Sequence, residues 1–292
     1  MDTAALIEQI VARLQAVAGV EAIVLGGSRA RGTHTPASDI DLGIYYQPAA
    51  ALDVPALTRL ASELDDSHRA GLMTEIGGWG PWINGGGWLT IKTLPVDLLY
   101  RDLAKVKRVV ADCRDGRLEL AYQPGHPHAF VSSIYLAEIA LCQPLWDPHH
   151  SVAALKAQAQ PYPPQLKRAL ITTFAWEADF SLKVAHKSVA RGDVAYAAGC
   201  CFRCVACLAQ TLFALNEQYW MNEKGAVALV ATLPLCPADF KDRVEQAFRQ
   251  LEADHAAITA AIETLSQLVV ETNGLQPGRQ LEPQDGYGSD CA

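Results

Sequence analysis

Two aspartates one residue apart, Asp39 and Asp41, sit in the stretch SDIDLGIYY. The alternation of Ile40, Leu42 and Ile44 predicts a half-buried strand, so both carboxylates project from one face and the apolar side chains from the other. Two like charges that close repel, and a fold rarely selects them for stability. A divalent cation resolves the conflict. Mg²⁺ takes hard oxygen ligands, often one or two carboxylates plus substrate phosphates. Two such ions about 4 Å apart can clamp the attacking and leaving oxygens of a phosphoryl displacement. A third acid, Asp97, interrupts the apolar run of LPVDLLYR, where burial without a partner would be costly. Taken singly, Asp39 and Asp41 also suit a solvated strand end, and Asp97 a hydrogen-bonded edge-strand residue.

Upstream of the pair stands VLGGSRARG, with ten residues between its Ser28 and Asp39. An apolar strand delivers the chain to Gly26-Gly27-Ser28, where glycines permit a sharp turn and close approach of a ligand to the main chain. Ser28 begins a short predicted helix whose free N–H groups favour an anion, and Arg29 and Arg31 add charge suited to phosphate oxygens. Alone, such a segment is equally an ordinary serine-capped turn with solvated arginines. At this distance from Asp39 and Asp41 it points to a phosphate cradle beside a metal site.

These residues need elements to hold them. The 292-residue chain is half hydrophobic, enough for two compact domains. Its first part reads as mixed α/β. A helix is expected over Thr3–Ala18, strands at Glu21–Leu25 and after Ser38, and a helix from Asp53 to Leu64. Paired strands follow at Trp88–Ile91 and Val96–Arg101, then a helix over Leu103–Asp112, a strand over Arg117–Tyr122 and a helix over Ser132–Cys142. QPLWDPHHS interrupts the pattern. Only helical periodicity follows, ending in one long helix, Phe240–Leu268. The fold class is therefore α+β, a small mixed sheet with flanking helices followed by an all-α bundle. The domains are expected at 1–145 and 152–275, with 276–292 a disordered tail.

The net charge of −8 argues against general nucleic-acid binding. With no leader-like segment and no apolar run of about eighteen residues, a cytoplasmic protein that neither spans nor binds a membrane is expected. Of eight cysteines, Cys200, Cys201, Cys204 and Cys207 fall at helical spacing in an apolar stretch. They read as packing residues rather than a metal cluster.

LGGSRARGTHTPASDIDLGI followed by VDLLY resembles the nucleotidyltransferase superfamily that includes DNA polymerase β. Within it, the layout is similar to small bacterial aminoglycoside and lincosamide nucleotidyltransferases with a helical C-terminal domain, and GSRARG also to the antitoxin-type branch. The resemblance implies that Gly27 and Ser28, with Arg29 or Arg31, hold the triphosphate. It implies that Asp39 and Asp41 bind Mg²⁺, and that Asp97 completes the metal site and takes the acceptor proton. A lysine from the second part of such enzymes often reaches the triphosphate, and Lys224 is the candidate here. The implied reaction moves a nucleoside monophosphate, AMP from ATP, onto a hydroxyl of a small molecule. Transfer to a protein or RNA acceptor, and a non-catalytic nucleotide-binding module, are the alternatives.

For the acceptor, Trp79, Trp82 and Trp88 either form an aromatic wall or anchor their own glycine-rich loop. Glu75 and Glu138 are either candidate general bases or ordinary salt-bridged glutamates.

Overall fold

The computed structural model describes residues 2–276, so the expected tail beyond Gln276 lies outside the described residues. Contacts divide the chain into two compact units. Among the described residues, the first is Asp2–Leu170 with Glu217–Ala226, and the second is Ile171–Asn216 with the residues from Val227 on.

The first unit is built on a five-stranded sheet in the order β3-β4-β2-β1-β7. Helix α1 (Thr3–Leu14) starts at Asp2, whose carboxylate accepts the N–H groups of Ala4 and Ala5. It leads into β1 (Val20–Leu25), the short helix α2 (Gly27–Ala30) and β2 (Ile40–Tyr46). Helix α3 (Val54–Leu64), capped by Asp53, precedes the hairpin of β3 (Gly86–Ile91) and β4 (Leu94–Asp102). β2 and β4 run parallel, with Asp41 opposite Asp97, while β3 and β4 are antiparallel, with Trp88 opposite Asp97.

Period-two alternation sorts the sheet's faces. Ile40, Leu42, Ile44, Val96, Leu98, Tyr100, Leu89 and Ile91 are buried in one core with Leu6, Ile10, Leu14, Leu57 and Leu60 of α1 and α3. The opposite face carries Asp41, Gly43, Tyr45, Asp97, Leu99, Arg101 and Trp88. Helix α4 (Leu103–Arg114) and helix α5 (Ser133–Leu141) complete the unit with α6 (Ser151–Gln158).

Three local expectations change. The strand expected over Arg117–Tyr122 shrinks to β5 (Leu120–Ala121), paired with β6 (Phe130–Val131). QPLWDPHHS contains an unexpected strand, β7 (Gln143–Trp146), which adds antiparallel to β1. The expected boundary at Trp146–Ser151 therefore falls inside the first unit. α1 also stops four residues early, and the chain turns at Gly19, whose φ is +84°.

The second unit is helical. Helix α7 (Pro164–Val189) runs into it from the first, and α8 (Val194–Leu215), α9 (Ala226–Val230), α10 (Phe240–Arg249) and α11 (His255–Gly274) follow. The single terminal helix expected over Phe240–Leu268 is two helices. Asp254 breaks it by capping α11, accepting the Ala257 N–H at 2.9 Å. Cys201, Cys204 and Cys207 are buried on α8, and desolvation raises all three thiols, Cys201 to about 12. α8 is long and apolar enough to cross a membrane by length and composition, but most of it is buried within the protein.

Candidate active site

β1 delivers the chain to the site face at Gly26, whose N–H extends the β1–β2 ladder to the Asp41 carbonyl at 2.8 Å. The next residue must be glycine. Gly27 has φ +61°, and a Cβ there would lie 1.7 Å from Asp41 Oδ2. The turn and the acid are therefore packed directly against each other, with half-buried Ser28 following. Gln143 at the start of β7 fixes α2 from the far side by donating to the Ala30 carbonyl at 2.7 Å.

The two arginines of the loop part ways. Arg29 is 9% exposed and points inward, donating from Nε to the Asp39 carbonyl at 2.9 Å and from Nη2 to the Ser38 carbonyl at 2.6 Å. It holds the backbone that presents Asp39. Arg31 is exposed, reaches back to the Gly27 carbonyl at 3.3 Å and lines the cavity described below.

The three acids form a negative group. Burial foremost, then the charge of Asp39, raises the Asp41 carboxyl above its usual range, with Lys224, Arg31 and Arg29 opposing. Burial, then Asp41 and Asp39, push Asp97 up to about 6, with Lys224 opposing. The charge of Lys224 thus acts on both acids. It belongs to the first unit, not the helical one, because Glu217–Ala226 returns to that unit. The returning segment is fastened at several points. Tyr219 donates to the Ala159 carbonyl at 2.6 Å, and Glu223 accepts the His128 N–H at 2.9 Å and faces His126 Nδ1 at 3.5 Å. Neither Glu223 nor His126 stands out in the sequence, since neither belongs to a local motif and their pairing spans nearly a hundred residues.

A cavity of about 260 Å³ opens beside Gly27 and Asp41 and runs along β2 and β4 beneath α5. Gly43 leaves its floor low between Asp41 and Tyr45. Arg101, Glu138 and Phe130 also line it.

Of the acceptor candidates, Glu138 is committed elsewhere. It grips buried Arg101 through two hydrogen bonds of 2.7 and 2.5 Å, while Arg101 Nη1 donates to the Ile83 and Tyr100 carbonyls. Glu138→Ala leaves that guanidinium buried and unpaired, so the variant is expected to lose about 3–5 kcal/mol of stability, read as an earlier midpoint in urea unfolding. Trp82 is 6% exposed and belongs to the core, stacked on Phe130 at 5.1 Å with the Lys105 ammonium 4.0 Å from its ring centroid. Glu75 is exposed, and its charge, after burial, raises Tyr100 on the opposite, core face. Trp88 stands on the site face, 60% exposed and stacked on Trp79 at 4.4 Å.

Residues 6–114 match the family described as nucleotidyltransferase domain. Residues 130–224 match a family described as a domain of unknown function, DUF4037. No curated protein matches the sequence. Among solved structures the chain is similar to a nucleotidyltransferase-like protein from Exiguobacterium sibiricum 255-15. The two are 12% identical, with a TM-score of 0.44, over 92% of this chain and 78% of that one.

Proposed function

We propose that this nucleotidyltransferase, a member of the superfamily that includes DNA polymerase β, transfers AMP from ATP to a hydroxyl of a small-molecule acceptor of the aminoglycoside or lincosamide kind, releasing pyrophosphate. The observation that carries the reading is the in-register pair Asp41–Asp97, with Asp41 packed against a left-handed Gly27 and the charge of Lys224 acting on both acids. Nucleotidyltransferases use divalent metal ions, and the donor set here suits Mg²⁺. It consists of hard carboxylate oxygens, and burial first, then the charge of the neighbouring acids, raises Asp41 and Asp97. Two bound ions would supply charge neutralisation at the phosphates.

The chain's own residues do the rest. Gly27 and Ser28 line the triphosphate, Arg31 and Lys224 meet its charge, and Arg29 acts at one remove by fixing the Asp39 backbone. The cavity beneath α5 is smaller than the roughly 300–1,000 Å³ usual for drug-sized ligands, and it takes the nucleoside rather than the acceptor. Asp97 accepts the acceptor's hydroxyl proton as that oxygen bonds to the α-phosphorus and the bond to the pyrophosphate oxygen breaks. Catalysis is then chiefly positioning and electrostatics. The seven free cysteines among the described residues suit a reducing, cytoplasmic setting.

Lys224→Ala is expected to weaken Mg·ATP binding about tenfold or more, the range for a hydrogen bond to a charged group. Glu223→Ala should reproduce part of that loss. The double variant should be no worse than Lys224→Ala alone, because the two act in series. Calorimetric titration with Mg·ATP checks this.

The reading as a whole is tested by incubating the protein with α-³²P-ATP, Mg²⁺ and kanamycin or lincomycin. Label in the small-molecule fraction, matched by equimolar pyrophosphate, is the expected result. Label on a co-purified protein or RNA, or nucleotide binding without turnover, overturns it.

A further inference from the structure

The site face continues beyond the acids. Across adjacent strands in one row stand Asp41 on β2, Asp97 on β4 and Trp88 on β3. Strands lie about 4.8 Å apart, and directly opposed side chains are in reach of one another. Trp88 is therefore the immediate neighbour of Asp97 on the side away from Gly27.

This tryptophan is built to stay exposed in one pose. Trp79 stacks on its indole at 4.4 Å with 21° between the planes, and Trp88 nonetheless stays 60% exposed. Side chains hold both backbones. Gln123 donates to the Trp79 carbonyl at 2.8 Å and Arg69 to the Trp88 carbonyl at 3.3 Å. Arg69 is in turn fixed by the buried Asp65, which also accepts the Thr90 N–H on β3 at 2.9 Å. A loop needing only an anchor would bury its tryptophan, as Trp82 is buried nearby.

In-line displacement sets what belongs there. Attacking and leaving oxygens lie on opposite sides of the phosphorus. With pyrophosphate leaving towards Gly27 and Ser28, the acceptor must approach from the Asp97 side, which is the Trp88 side. An exposed indole face attracts a positive charge and the apolar face of a saturated ring.

We propose that the stacked Trp79–Trp88 pair is the acceptor subsite, and that it takes a hydroxylated ring bearing an ammonium group. The proposal rests on the transferase reading above and deepens it by naming where the acceptor sits and what recognises it.

The test titrates the full chain calorimetrically with Mg·ATP, with kanamycin as cationic amino-sugar probe and with trehalose as its uncharged counterpart. Trp88→Ala is expected to weaken kanamycin binding about tenfold, with Trp88→Phe restoring most of it. Mg·ATP affinity should stay within twofold, and trehalose should bind more weakly than kanamycin to the unsubstituted protein. Unchanged kanamycin affinity in Trp88→Ala overturns the proposal. So does a loss of Mg·ATP affinity in its place, which would put the nucleobase on the indole and leave nucleotidyl transfer standing. Absence of kanamycin binding to a protein that binds Mg·ATP overturns the cationic occupant. Absence of Mg·ATP binding brings down the transferase reading itself.

Discussion

Asp97→Asn is expected to lower turnover by about 10²–10⁴, the range for a lost general base, while making the metal-free protein more stable at neutral pH. Both effects have one cause. Asp97 is held beside Asp41 and Asp39 in a partly desolvated place that suits a proton or a cation better than a bare carboxylate. Its carboxyl is pushed up to about 6 in the folded protein against an ordinary 3.8. The folded state thus holds the proton more tightly than the unfolded chain does. The stability this contributes is complete below about 3.8 and is lost as pH rises through about 6. At pH 7.5 the ionised carboxylate works against the fold. Discounted for solvent screening of a partly exposed group, removing it is worth on the order of 1 kcal/mol, or roughly 2–4 °C in Tm.

Melting curves in chelator at pH 7.5 and pH 4 check the stability half. The variant should melt higher at pH 7.5, and the gap should close at pH 4. Added Mg²⁺ and ATP should stabilise the unsubstituted protein more than the variant, because ligands that bind only the folded state raise its stability. A variant that is both inactive and less stable in chelator would mark Asp97 as a structural residue.

The second large effect separates adjacent glycines. Gly27→Ala is expected to lower kcat/KM about a hundredfold, the scale on which a misplacement of about 1 Å is felt. Its Cβ would sit 1.7 Å from Asp41 Oδ2, and the left-handed backbone at φ +61° adds strain for any side chain. The acid must swing away or the turn must open. Gly26→Ala is the control. Its φ of −113° is ordinary, and its Cβ would find the nearest heavy atom 3.7 Å away. It should retain most of its activity, and both variants should keep the far-ultraviolet circular dichroism of the parent. Equal losses in the two would mean that the loop's flexibility matters, not its contact with Asp41.

Much of this arrangement is legible in the chain. Ile40, Leu42 and Ile44 announce a strand with one buried face, and that alone places Asp41 on the other. Asp97 reads as exceptional because an acid in an apolar run demands a reason, and the parallel register then sets it beside Asp41. What the sequence hides is non-local. Nothing near Arg29 says that its guanidinium will bond two carbonyls nine and ten residues on, since a solvated arginine has the same neighbours. Glu138 is spelled like any helical glutamate, and only the fold supplies Arg101. Three tryptophans among glycines look alike until β3 turns Trp88 outward and the Phe130–Tyr135 cluster takes Trp82 in. β7 is four residues with a proline and little burial, too short for alternation to show. Lys224 lies in a stretch flanked by helices of the second unit, and no local pattern signals that Glu217–Ala226 returns to the first.

The most direct test is a crystal soaked with Mn²⁺ and α,β-methylene-ATP, with anomalous scattering used to locate the metal. Manganese bound among the carboxylates of Asp39, Asp41 and Asp97, with the triphosphate against Gly27 and Ser28, is the result the account predicts. Manganese bound elsewhere, or a triphosphate seated away from that loop, would contradict it.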